Sequence, residues 1–309
     1  MSLSRRVLLR ASQSAWLRER APRHRFFRRA AARFLPGENA EDALAAAGRL
    51  VENGVGAILT RLGESIATRA EAEAVVQHYF GLVDRLRSNG SACEISVKLT
   101  QLGADVDREL CRAHLSELAS RMPDGKMLWI DMEQAAYADV TFDLFRRVRE
   151  AHSNVGVCVQ AYLYRTEFDV AKLVDEGAAV RLVKGAYNEP SEIAFPRKKD
   201  VDENFFRLAQ TLLGLDAQRA GIRAAIGTHD LRLIARITEW AAAQGIARER
   251  LEFQMLYGIQ RAEQIRLARA GYRSGVLINY GSYWFPWFMR RLAERPANVF
   301  FLARNLFSR

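Results

Sequence analysis

Cysteine is scarce: Cys93, Cys111 and Cys158 are the only three in 309 residues. They stand far apart, with no CxxC spacing and no paired framework, so the chain does not read as a disulfide-stapled secreted domain, and a reducing compartment suits it. The five histidines, His24, His78, His114, His152 and His229, make no HExxH or other metal-ligand pattern. No stretch of about 18 apolar residues is free of charge, which argues against a membrane-spanning helix. No GxGxxG follows the first apolar run, which argues against an open dinucleotide-binding sheet. Acid is nearly missing from residues 1–35, where Glu19 stands alone among ten arginines: Arg5, Arg6, Arg10, Arg18, Arg20, Arg23, Arg25, Arg28, Arg29 and Arg33. That segment accounts for about +9 of the net +10, so the remainder is nearly neutral. A solvated basic helical arm, a surface for anionic lipid and a targeting peptide all fit it. Trp16, Leu17, Phe26 and Phe27 interleave with the charge, as a lipid-facing surface would require. No nucleic-acid-binding motif is present, and no nucleic-acid partner is expected.

What is there is a long alternation. Hydrophobic residues make up 49% of the chain, enough for one large core. After Pro36-Gly37, short β-branched runs recur near 56–60, 94–99, 127–131, 156–161, 180–184, 223–228, 251–254 and 275–279. Amphipathic stretches lie between them at 69–88, 107–120, 140–151, 167–176, 200–219, 231–244 and 261–270. Thr68 offers a helix start, and Gly177, Gly221, Gly245 and Gly271 offer helix stops. Eight strands that each feed a helix predict parallel pairing and closure into a (β/α)₈ barrel. The organisation expected is a basic helical arm over 1–36 and a barrel over 37–309.

In such barrels chemistry gathers at the C-terminal ends of the strands. Here those ends carry Lys98, Asp131-Met132-Glu133, Gln160, Arg181 through Lys184-Gly185-Ala186-Tyr187, Thr228-His229-Asp230, and Glu252 with Gln254. Each alone reads as well as an ion pair or a loop cap. Buried charges cost several kcal/mol unless paired, so their recurrence on one barrel face predicts a shared polar cavity. After the last strand, Arg290 and Arg291 offer two guanidinium forks for a carboxylate, with Lys98 opposite. Tyr283, Trp284, Phe285, Trp287 and Phe288 read as a hydrophobic lid beside them. Arg181, Lys184 and Gly185, with Thr228 and His229, suit a phosphate or an electron-rich ring. No activated nucleophile or metal set accompanies them, so a bound cofactor is expected to carry the reaction.

The words SVKLTQLG (96–103), IDMEQ (130–134), VQAYLYRT (159–166), RLVKGAYNEP (181–190), GTHD (227–230), EFQMLYGI (252–259) and RRLAERPAN (290–298) resemble the proline dehydrogenase family, in particular its short monofunctional bacterial members. The similarity runs over roughly 34–309. The resemblance implies a distorted (β/α)₈ barrel that holds FAD non-covalently and oxidises L-proline to Δ1-pyrroline-5-carboxylate. Electrons would pass to a membrane quinone, from an enzyme that is cytoplasmic or peripheral on the inner face of the membrane.

Carried over by motif, Lys98, Arg290 and Arg291 would bind the substrate carboxylate, and Leu182 and Tyr187 would wall its ring. Asp131 and Arg181 would be the catalytic pair, the first beside Lys98 and the second at the reactive side of the isoalloxazine. Gln160 would meet the pyrimidine edge, and Met132, Lys184, Gly185, Ala186, Thr228 and His229 would line the FAD. Glu64 would form an ion-pair gate with Arg290. One departure stands out. The family usually places tyrosine three residues before the pair matched to Tyr280-Gly281, and proline two positions after that tyrosine; here Leu277 and Asn279 stand there. Leu277 leaves open a dehydrogenase for hydroxyproline or another cyclic amino acid. A non-catalytic barrel used as a binding or membrane-associated module is the reading from another class, although every charged position of the motifs is filled.

Overall fold

A computed structural model describes residues 14–20, 24–63 and 66–294. Eight parallel strands run β1 (Gly56–Arg61), β2 (Glu94–Val97), β3 (Leu128–Ile130), β4 (Val155–Gln160), β5 (Ala179–Val183), β6 (Arg223–Gly227), β7 (Glu252–Leu256) and β8 (Arg273–Tyr280). They close into a barrel in sequence order, with β8 pairing back onto β1 from Gly56↔Gly275 to Arg61↔Tyr280. The strands fall within a few residues of the expected runs, because consecutive β-branched residues buried on both faces mark parallel strands.

Alternation along each strand sorts the side chains. In β5, Val180 and Leu182 enter the shell between barrel and helices, while Arg181 turns inward. In β8, Val276, Ile278 and Tyr280 join that shell, and Leu277 turns inward against Ile58, Trp129 and Ala225. Trp129 fills the barrel at mid-height. It does so only because Gly156, its partner in register, has no side chain: a Cβ there would lie 2.7 Å from the indole.

The helix Arg69–Ser88 begins with a capping box in which Thr68 accepts from the Glu71 amide and Glu71 accepts from that of Thr68. Gly177, Gly221, Gly245 and Gly271 all take positive φ just past helix ends, as expected of such stops. Two features differ from expectation. The stretch expected as one helix over 200–219 is two, Lys198–Leu213 and Leu215–Arg219, broken at the extended Gly214. A further helix, Ala40–Val51, precedes β1 and packs on β1 and β8.

A second hydrophobic cluster lies at the C-terminal end of the barrel. It joins the helix Trp284–Glu294 to Ala31, Phe34 and Leu35 of the arm and to Leu62, the residue after β1. Phe27 meets Phe285 edge-on at 6.0 Å. Trp284, Phe285, Trp287 and Phe288 are all buried there and seat the terminal helix against the arm. The chain turns tightly after β7 to meet the arm: a Cβ at Gly258 would come within 1.8 Å of the Arg33 carbonyl oxygen. Among the described residues, no helix is long and apolar enough to cross a membrane.

Candidate active site

Asp131, immediately after β3, is the hub of the polar cluster. Its Oδ1 accepts from Ser96 Oγ at 2.7 Å and from Arg181 Nη1 at 3.0 Å, and its Oδ2 accepts from Lys98 Nζ at 3.1 Å. These four residues come from β2, β3 and β5 or the positions just after them. Burial alone would push the Asp131 carboxyl up. The positive charges of Lys98 and Arg181 and the Ser96 hydroxyl outweigh it and hold the carboxyl below its ordinary value. Burial works against the Lys98 ammonium too, but Asp131, assisted by Tyr187 and Glu133, raises its proton affinity above the ordinary value. Both groups are therefore charged at neutral pH, and Asp131 is a poor proton acceptor there.

Arg181 is only 3% exposed. Its Nε donates to Gln254 Oε1 at 2.7 Å, its Nη1 donates to Ser96 Oγ at 2.9 Å as well as to Asp131, and its guanidinium lies 4.6 Å from the Trp129 ring centroid. Its Nη2 is buried and has no hydrogen-bond partner among the described residues. Gln160 is in a similar position. Its Nε2 donates to the carbonyl oxygens of Met132 (3.3 Å) and Glu133 (3.1 Å), which turns Oε1 to a buried place with no partner among the described residues.

Past β5 the chain makes the turn that Gly185 allows. Its φ is +107°, and a Cβ there would overlap the Tyr162 ring at 2.1 Å. Ala186 is exposed and Tyr187 half-buried. Lys184 leads away from the Asp131 hub: its Nζ contacts Asp202 at 2.5 Å and Asp230 at 3.1 Å, and Lys198 joins the same two acids. Thr228 is buried and accepts from the Asp230 amide at 3.2 Å. His229 Nε2 accepts from the Leu256 amide at 2.8 Å, which ties the ends of β6 and β7 together.

Two expected positions differ. Leu182 does not wall the mouth: with Arg181 turned inward, strand alternation sends Leu182 into the fully buried shell between barrel and helices. Glu252 opens β7 and so sits at the opposite end of the barrel, where Arg223 Nε and Nη2 reach it at 2.9 Å. Met132 is buried in the main core and presents its carbonyl to Gln160. Leu277 is half-buried on the inner wall. Arg291 is half-buried, its guanidinium 5.9 Å from the Trp287 centroid. For Arg290 only its place on the terminal helix is described, and Glu64 lies outside the described residues, as therefore does the gate. Ser96 and Trp129 were not among the expected site residues. Strand parity could have found both, since each lies two residues before a charged strand end, Lys98 and Asp131.

The chain matches the family described as proline dehydrogenase over residues 43–304. It belongs to the proline dehydrogenase family. Proline dehydrogenase 1 of Bacillus subtilis (strain 168) is 36% identical over 277 residues, which cover 89% of this chain and 90% of that one. The proline dehydrogenase of Deinococcus radiodurans is 35% identical over 282 residues, 89% of each. Among solved structures, proline utilization A from Bdellovibrio bacteriovorus, inactivated by N-propargylglycine, superposes with a TM-score of 0.79 at 25% identity. It covers 86% of this chain, which spans 32% of that longer protein. The closed barrel with its charged mouth is thus the fold of a proline dehydrogenase.

Proposed function

We propose that the protein is an FAD-dependent proline dehydrogenase that oxidises L-proline to Δ1-pyrroline-5-carboxylate and delivers the electrons to a membrane quinone. The observation that carries the cofactor assignment is the pair of buried atoms without a protein partner, Arg181 Nη2 and Gln160 Oε1. An unsatisfied buried polar group costs about 1–3 kcal/mol, so a donor and an acceptor left open in one mouth suit a ligand whose edge carries both kinds of atom. An isoalloxazine ring has such an edge. Lys184, Gly185, Ala186, Thr228 and His229 are the proposed wall for the rest of FAD. When bound, FAD supplies the two-electron acceptor for the reaction.

The residues of the chain divide the remaining work. Lys98, Arg290 and Arg291 are the proposed anchors of the substrate carboxylate, and Tyr187 with Leu277 the walls of its ring. Their positive charge also disfavours a substrate ammonium, so the amine binds neutral. Oxidation then removes a hydride from the ring carbon next to nitrogen, leaving a cation that the nitrogen lone pair stabilises as an iminium, whose N–H proton is released to solvent. No protein base is required, and Asp131 keeps Lys98 and Arg181 in place. Arg181 holds positive charge where negative charge accumulates, a form of electrostatic preorganisation. The test is direct. Purified protein should be yellow, release flavin on denaturation, and bleach with L-proline under anaerobic conditions; a colourless protein that takes up no added FAD would sink the proposal.

One observation favours a second reading of the substrate. Leu277 is half-exposed on the inner wall and brings no hydroxyl to it. A hydroxylated ring could therefore compete with proline. Comparing kcat/KM for L-proline and 4-hydroxyproline, with Leu277→Tyr alongside, decides between them.

The proposed setting is cytoplasmic, at the inner face of the membrane. In the arm, Trp16 is 60% exposed, with the Arg20 guanidinium 5.1 Å from its ring centroid. These features support contact with anionic lipid.

A further inference from the structure

The barrel interior contains more bonded charge than the mouth uses. At the floor, Arg223 Nη1 donates to Glu94 Oε1 at 2.6 Å, and Arg223 Nε donates to Glu252 Oε2 at 2.9 Å. Burial would favour neutral Glu252, but Arg223, Arg273 and Gln254 keep its carboxyl below the ordinary value. Gln254 Nε2 donates to Glu252 Oε1 at 2.7 Å, and Gln254 Oε1 accepts from Arg181 Nε at 2.7 Å. The Trp129 indole lies between the two arginines, its ring centroid 4.6 Å from the Arg181 guanidinium and 5.2 Å from that of Arg223. Its Nε1 donates to Glu94 Oε2 at 2.7 Å.

A carboxamide presents its oxygen or its nitrogen with nearly the same shape, so a buried glutamine needs a neighbour to fix which. Glu252, an ionised acceptor, fixes it here: Nε2 must face Glu252, which leaves Oε1 for Arg181. The reversed amide would set a donor against the Arg181 N–H and an oxygen against a carboxylate. Glu252, itself held by Arg223, thus determines which end of the Gln254 carboxamide meets Arg181.

We propose that Gln254, locked by Glu252, is a positioning residue for Arg181, turning its guanidinium so that Nη2 alone remains open toward the bound cofactor. This rests on the flavin reading above and adds to it a source for the geometry of Arg181. Ser96 and Asp131 both hold Nη1, so without Gln254 the guanidinium can pivot about that nitrogen.

The experiment uses the full-length holoenzyme with Gln254→Met, which keeps the bulk and removes the acceptor, and Gln254→Glu, which keeps an acceptor and adds a negative charge. Flavin content and circular dichroism report folding; flavin potential by spectroelectrochemistry and the separate kcat and KM for proline report positioning. In Gln254→Met, kcat should fall about tenfold with KM changed less than twofold. The flavin potential should drop by about 30 mV, the equivalent of tenfold for a two-electron couple. In Gln254→Glu the potential should drop further, because the new carboxylate offsets the Arg181 charge. If both variants bind flavin and keep the parent potential and kcat, the positioning role is overturned while the flavin reading stands. If the parent itself takes up no flavin, both are overturned.

Discussion

Arg181 and Asp131 face each other across the mouth of the barrel at 3.0 Å, and the same carboxylate holds Lys98 through its other oxygen. One anion thus spaces two cations that would otherwise repel, and each cation has a separate proposed task. Removing it should disorder both. Hydrogen bonds to charged groups contribute roughly 1.5–3 kcal/mol, so Asp131→Ala should lower kcat for proline by about 10- to 100-fold. The pH profile of flavin bleaching, measured by anaerobic stopped flow, should still rise with a single ionisation, that of the bound substrate amine. The surrounding cations keep Asp131 ionised through the neutral range, so it cannot supply that step. Loss of the ionisation in Asp131→Ala would make Asp131 a general base and end the mechanism proposed above.

Carboxylate anchoring makes a different signature. Lys98→Met, Arg290→Ala and Arg291→Ala should each raise KM for proline by at least about tenfold, by the same charged hydrogen-bond arithmetic, and leave the flavin bound. Steady-state kinetics beside the visible spectrum check this. Unchanged KM in both arginine variants would reject the clamp.

Much of this site could be read from residue order, for identifiable reasons. Lys98, Asp131 and Gln160 stand at the ends of apolar runs, where polarity is conspicuous, and the barrel brings those ends together. Leu182 was misplaced because a motif names neighbours without their direction, and on a strand adjacent residues point to opposite faces. The partners of Lys184 were missed because Asp202 and Asp230 lie 18 and 46 residues away, on other elements. Ser96 carries no formal charge and was passed over, although its place two residues before Lys98 sets it on the same inner face; Gln254 stood out as a polar strand residue, but nothing in sequence gives Arg181 and Glu252 as its partners. The helix Ala40–Val51 was missed among small residues with little apolar contrast, and the break at Gly214 is a single residue inside an otherwise helical pattern.

The basic arm yields a third expectation. Lys and Arg near an anionic bilayer contribute about 1 kcal/mol each, and salt screens them. Binding to vesicles containing anionic phospholipid should therefore exceed binding to neutral vesicles, weaken with added salt, and fall on deletion of residues 1–13, which precede the arm helices docked near the barrel mouth and carry Arg5, Arg6 and Arg10. Co-sedimentation measures it. Equal binding to neutral and anionic vesicles would count against a membrane role for the arm.

The fourth expectation concerns stability in acid and arises outside the mouth. His78, on the helix Arg69–Ser88, is partly buried, and its Nε2 lies 2.8 Å from the hydroxyl of Tyr280 at the end of β8. Burial, then the nearby charges of Arg61 and Arg85, push its pKa down from 6.5 to about 4, with Glu41 acting weakly in the opposite direction. Above pH 6.5 the ring is neutral both folded and unfolded, and it contributes no pH dependence. Between about 6.5 and 4 the unfolded chain binds a proton that the folded chain does not, so each step down in pH favours unfolding. The ceiling for one such group is about 1.4 kcal/mol per pH unit, and solvent at the half-exposed ring reduces it. Thermal unfolding followed by circular dichroism at pH 7, 6 and 5 should show Tm falling by about 1–2 °C per unit from this source. His78→Gln cannot take up the proton and keeps a polar partner for Tyr280, so its Tm should decline less steeply over the same interval. The carboxylates held low, Asp131 and Glu252 among them, lose their contribution only below about pH 4 and affect parent and variant alike. Identical slopes in parent and variant between pH 7 and 5 would show that His78 titrates near its ordinary value despite its burial beside Tyr280.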